Sequence, residues 1–143
     1  MSAEIVVSFD TSDADKFFAA LQQASFRNRL LRAVGGIAER QTKQRFDSKV
    51  SPDGQAWAPW SPAYAHGKSQ KGRGLLVRTG RLRGSIANFV TGDAVHVGSN
   101  VFYGRFHQFG TSKMVARPWL GANAANLSEI EKTLVSFIRA IVG

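Results

Sequence analysis

Three histidines, ten acidic residues and no cysteine are the raw material for chemistry in this 143-residue chain. His107 stands in "GRFHQFG", His66 in "AHGKSQKGRG" and His96 in "AVHVGS". Neither HxH nor HExxH spacing relates them, so they give no metal-ligand pattern. Without cysteine there is no thiolate nucleophile and no disulfide framework. Gly67-Lys68-Ser69 imitates the end of a phosphate loop, but the earlier glycine of that motif is missing. No GxSxG nucleophile turn occurs. The acids fall mostly in turns and helix caps, which is a poor basis for an acid–base pair. The expectation is a protein without catalytic, cofactor-binding or metal residues, and not an enzyme.

Large rings and arginine remain. Trp57, Trp60, Tyr64, Tyr103, Phe109 and Trp119 lie in or beside loop-like stretches, with Arg117 two residues before Trp119. These residue types dominate interface energetics. Any one ring could equally close a small core under a long loop. The whole set is more than one loop-rich domain of this size buries easily, which points to a subunit or partner interface. Trp119, on an extended segment after Arg117-Pro118, is expected to matter more for assembly than for folding.

The formal charge of +9 is concentrated. Residues 1–24 hold one Lys against four acids, residues 25–83 thirteen Lys/Arg against three acids, and residues 84–143 five against three. Arg29, Arg32, Arg40 and Lys43 share a helix face, and Lys68, Lys71 and Arg73 share a loop. Both groups are candidates for a DNA channel or an acidic partner. A solubilising surface charge is the plainer alternative.

The elements that must position these residues follow from pattern. A chain this long buries roughly two-thirds of its unfolded surface and makes one domain, residues 1–143. No apolar run nears the ~20 residues of a membrane span, and the start lacks a signal-peptide layout. A soluble product of the cytosol is expected. "EIVVSF", 4–9, reads as a strand, followed by a short helix to about Ala24 with Phe17, Phe18 and Leu21 on its apolar side. Phe26, Leu30, Ala33, Val34 and Ile37 then mark one face of a long helix. Gly35-Gly36 interrupts it, either for a close backbone approach or by simple tolerance. "SPDGQAWAPWSPAY", 51–64, holds three of the four prolines and two of the three tryptophans. Pro52-Asp53-Gly54 marks a turn there, and Pro59 and Pro62 keep the chain extended. Residues 65–74 have the composition of a mobile loop, so a projecting basic arm is expected over about 51–75. "SIANFV" and "AVHVGS" read as strands joined at Thr91-Gly92-Asp93, and "FYGRFHQFG" as a short helix ending at Gly110. A last helix runs from about Asn126 to Val142. Ser128 and Glu131 form its capping box, and Leu127, Ile130, Leu134, Ile138 and Ile141 its buried stripe. The sum is α+β: a small antiparallel sheet with helices packed on one face and a long basic loop. With so few strands, completion of the sheet by a neighbouring subunit is expected.

"SPDGQAWAPWSPAY", "LLVRTGRLRGSI", "VGSNVFYGRFHQFGT" and "ARPWLG", in that order, resemble the phage virion morphogenesis family, which includes tail completion proteins of P2-like and Mu-like phages. The resemblance spans about Arg45 to Gly121, with a compatible closing helix. It implies a structural virion protein of the tail or neck, assembled in the host cytoplasm. The implied role is a tail completion ring at the head–tail junction, needed to join tails to DNA-filled heads. The implied partners are copies of itself in a homo-oligomeric ring, as a hexamer, and the neighbouring connector and tail tube or tail terminator proteins. DNA lies close by, and no membrane is involved. Two alternatives stand beside it: an accessory assembly factor absent from the mature particle, and a basic nucleic-acid-binding protein.

Overall fold

The computed structural model describes residues 1–6, 15–61, 76 and 80–142, with the side chains of 15–18 and 141–142 outside that description. Three strands, β1 (Ser2–Val6), β2 (Ala87–Thr91) and β3 (Ala94–Gly98), form an antiparallel sheet in the order β1-β3-β2. β2 and β3 are joined by the two-residue turn Gly92-Asp93, where Gly92 takes φ +58°. That left-handed conformation suits the primed turns of tight hairpins. β1 closes the other side of β3, pairing Ser2 with Gly98 through Val6 with Ala94. A Cβ on Gly98 would lie 2.4 Å from the Met1 carbonyl oxygen, so glycine is what admits β1. The strand therefore starts two residues before the sequence pattern suggested, and the rest of that segment lies outside the described residues.

Helix α1 (Asp15–Gln22) leads through Gln23 into α2 (Ala24–Ser48), which crosses the inner face of the sheet. Alternation along the strands puts Asn88 and Val90, Val95 and Val97, and Ala3 and Ile5 on that face. Gly35 sits where α2 meets it. A Cβ there would fall 2.5 Å from Asn88 Oδ1 and 2.7 Å from Val95 Cγ2. At Gly36 a Cβ would meet nothing within 4 Å. Both readings of the glycine pair thus hold, one per residue: close approach at Gly35, tolerance at Gly36.

The closing helix, α5 (Ala124–Val142), packs beside α2. Ile130 joins Leu31, Val34 and Val95, while Leu134 and Ile138 meet Phe26 and Leu30. Its cap differs from expectation. The Asn126 amide donates to Asn123 Oδ1 at 2.8 Å, and the Asn123 amide donates to Asn126 Oδ1 at 3.0 Å. This reciprocal pair satisfies the first amides in the manner of a capping box, and Ser128 and Glu131 both lie inside the helix rather than at its start. Leu127, assigned to the buried stripe, is exposed.

Between β3 and α5 comes α4 (Gly104–Phe109), ending at Gly110 with φ +74°. A short α3 (Arg81–Ser85) precedes β2. Over these lies the largest core cluster, with Phe46, Trp57, Leu82, Ile86, Val97, Val101 and Trp119 at its centre. The α+β class and the helix-covered small sheet are as the sequence indicates.

Candidate assembly interface

The Pro/Trp segment docks on its own chain. Trp57 Nε1 donates to the Pro118 carbonyl at 2.7 Å. Arg117 reaches back, Nε to the Ala58 carbonyl at 2.7 Å and a terminal nitrogen to the Pro59 carbonyl at 2.9 Å. Proline stiffens the strip, and the charge-assisted bonds from Arg117 fasten it at Ala58 and Pro59. Phe46 of α2 lies under both indoles, with ring centroids 5.5 Å from Trp57 and 6.2 Å from Trp119.

Trp119 is fully buried. Its Nε1 donates to the Gly104 carbonyl at 2.9 Å. A Cβ on Gly104 would lie 3.1 Å from Trp119 Cζ2 and 3.2 Å from Leu82 Cδ1, so glycine lets α4 settle on the indole. Gln108 completes the clamp: its Oε1 accepts from the amides of Trp119 and Leu120, and its Nε2 donates to the Leu120 carbonyl, each at 2.9 Å. From the other side Arg45, itself buried, donates to the Trp119 carbonyl at 3.1 Å and to Asn126 Oδ1. Desolvation lowers the pKa of Arg45 from its ordinary value.

The rings assigned to an interface therefore divide. Trp57, Arg117 and Trp119 are buried in their own chain's core, which corrects the surface role given to them. The reason is that polar handles on both indoles find backbone acceptors within the chain, so burial leaves no donor unpaired. Trp60 and Tyr103 are half-buried. Tyr64, Lys68, Lys71 and Arg73 lie outside the described residues, as does the expected arm beyond residue 61, while its first part, 51–61, is held against residues 117–118 of the same chain. Phe109 is 69% exposed. Beside it the sequence reading missed Phe102, which is 68% exposed. The available signal was its spacing, since Phe102, Phe106 and Phe109 recur at helical intervals. Phe102 meets Phe106 and Tyr103 edge-on, Arg105 lies over Phe106 at 5.1 Å, and Arg81 over Tyr103 at 5.9 Å. The α4 end thus presents exposed rings framed by cations.

On α2, Arg29 and Arg32 are exposed, and Arg29 lies over the Phe26 ring at 5.6 Å. Arg40 pairs with Glu129 of α5, and Lys43 with Glu39 at 3.6 Å. Hydrogen bonds from Gln41 and Arg40 hold the Glu129 carboxyl below its ordinary pKa. Two of the four cations on this face are thus engaged with acids of the same chain. His107 lies against Tyr103, its Nδ1 buried without a hydrogen-bond partner. Burial, then the charge of Arg117, push its pKa down. Among the described residues no group of three His, Asp or Glu could hold a metal ion, and no helix is long and apolar enough to cross a membrane.

Residues 10–138 match the phage virion morphogenesis family. The chain belongs to this family. It is also 32% identical over 134 residues to Mu-like prophage FluMu G protein 1 of Haemophilus influenzae, covering 91% of this chain and 92% of that one. No solved structure matches significantly. As a member of the virion morphogenesis family the chain has a role in phage virion assembly.

Proposed function

We propose that this virion morphogenesis protein is a tail completion component, a homo-oligomeric ring at the neck that joins tails to DNA-filled heads. The observation that carries the reading is the pair of exposed rings, Phe102 and Phe109, on a family member with a role in virion assembly. Apolar surface displayed in this way marks an interaction site. A ring that closes on itself needs two different patches per subunit, and a hexamer would match sixfold tail symmetry. Its neighbours would be the head–tail connector and the tail tube or terminator. Net basic charge is compatible with DNA passing nearby.

The test is mass spectrometry of purified virions with negative-stain imaging of isolated necks or tails. A low copy number consistent with one ring, and density at the junction, are the expected results. Presence in infected lysate but absence from intact particles would make it an accessory assembly factor instead. Tight, salt-sensitive binding of the isolated protein to duplex DNA would favour the nucleic-acid reading.

A further inference from the structure

A second exposed apolar patch lies on the outer face of the sheet, away from α2. Strand alternation puts Glu4, His96 and Phe89 in one transverse row on that face, with Val6, Ala94 and Thr91 in the next. Phe89 is 54% and Val6 56% exposed. Phe89 stacks on His96 with centroids 4.8 Å apart, and the His96 ring is held by Thr91 Oγ1 at 2.8 Å. The charges beside these groups are acidic. Glu4 lies 3.5 Å from His96 with half its side chain in solvent, and Asp93 is exposed in the adjoining turn.

The α4 patch has the opposite sign. Phe102, Phe109 and Val115 are exposed there, with Arg81, Arg105 and Lys113 exposed around them. Val6 and Asp93 mark the hairpin end of β3, and Phe102 follows the other end. Five strand residues separate the two by about 13 Å at a rise of ~3.3 Å per residue. The patches therefore lie at different places on one subunit, and the chain order between them holds them apart.

We propose that these two patches bind each other between copies of this chain: the cation-framed rings of α4 on one subunit dock against the acid-framed Phe89–Val6 face of the next. Charge complementarity selects this occupant. Two α4 patches meeting face to face would oppose like charges, as would two sheet faces, and like-charge juxtaposition works against an isologous contact. Pairing unlike patches gives a heterologous interface, which propagates around a ring. Apolar centres supply the burial and charged rims set orientation. This inference rests on the ring reading and adds which surfaces close it.

Sedimentation of the purified full chain, with charge-reversal variants, tests the proposal. Arg105→Glu with Lys113→Glu reverses one rim, and Glu4→Lys with Asp93→Lys reverses the other. Each double variant should self-associate roughly tenfold or more weakly than the wild type. Mixing the two should restore association, because every contact then pairs unlike rims. Lys113→Glu and Asp93→Lys alone, both in exposed turns, repeat the test if a double variant misfolds. Since the chain has no cysteine, Phe109→Cys combined with Val6→Cys gives a second readout. Oxidation should yield a ladder of cross-linked copies, while each single cysteine yields none. Reversal variants that associate as well as wild type, or Phe109→Cys cross-linking to itself, would overturn the two-patch contact and leave the ring intact. A wild-type protein that stays monomeric, together with a double-cysteine variant that forms no ladder in purified particles, overturns the ring reading, and this inference with it.

Discussion

Gln108 and Trp119 share a hydrogen bond of 2.9 Å, from the Trp119 amide to Gln108 Oε1, at the point where α4 meets the segment before α5. The same oxygen takes the Leu120 amide, and the Gln108 Nε2 returns a bond to the Leu120 carbonyl. One side chain thus serves three backbone groups of a stretch that belongs to neither helix nor sheet. Truncation to Ala leaves two amides and a carbonyl without partners. Gln108→Ala should cost about 1–3 kcal/mol, read as a lower midpoint in urea unfolding with an unchanged slope.

Trp119→Ala removes the fully buried indole from between Phe46 and Gly104. The expected loss is about 3–5 kcal/mol, enough to leave much of the protein unfolded or insoluble. Phe109→Ala is the contrast. That ring is mostly in solvent, and its removal should change stability by no more than about 0.5 kcal/mol. The yield of tail-joined particles should nonetheless drop. A folded, soluble Trp119→Ala protein with a near-native melting curve would contradict the placement of Trp119 in the core.

The adjacent glycines of α2 should respond oppositely to the same substitution. Gly35→Ala drives a methyl into Asn88 and Val95, and overpacking of this kind costs about 1–3 kcal/mol. Gly36→Ala meets open space and gains helix propensity of up to ~1 kcal/mol. Thermal melts of the two single variants decide it. Equal shifts of one sign would mean that α2 does not lie against the sheet as described.

His107 and Glu129 give stability a slope with pH. His107 has a folded pKa below its ordinary value of 6.5, so the unfolded chain binds the proton first. Its contribution is complete above about 6.5 and is lost as pH falls below that value. Glu129 is depressed from 4.5, so its contribution is complete above the ordinary carboxylate range and lost as pH falls through the folded value. His107→Gln should flatten the stability profile just below about pH 6.5, and Glu129→Gln should flatten it only in the acid range below the ordinary carboxylate value. A profile unchanged by His107→Gln would show that its ring is solvated in the folded protein.

The local elements were legible because their signals are local. Period 3.6 marked α2 and α5, β-branched runs around Gly92-Asp93 marked the β2–β3 hairpin, and Gly110 ended α4. Four ordered motifs also pointed to the family that the whole-chain match establishes. Tertiary structure decided which rings are core and which are surface. Trp57 and Trp119 look like loop aromatics in sequence, yet Phe46, Pro118 and Gly104 supply them with a wall and acceptors. Phe102 and Phe109 have no such wall. Burial depends on what other segments bring to a residue, and composition does not carry that. Likewise the charges of Arg40 and Lys43 were plain, but their engagement with Glu129 and Glu39 depended on helix phase and on how α5 packs. The identity of each side chain was fixed along the chain; its partner was chosen by the fold, because contact energies fall off over a few ångströms while contacting residues such as Phe26 and Phe137 stand near opposite ends of the chain.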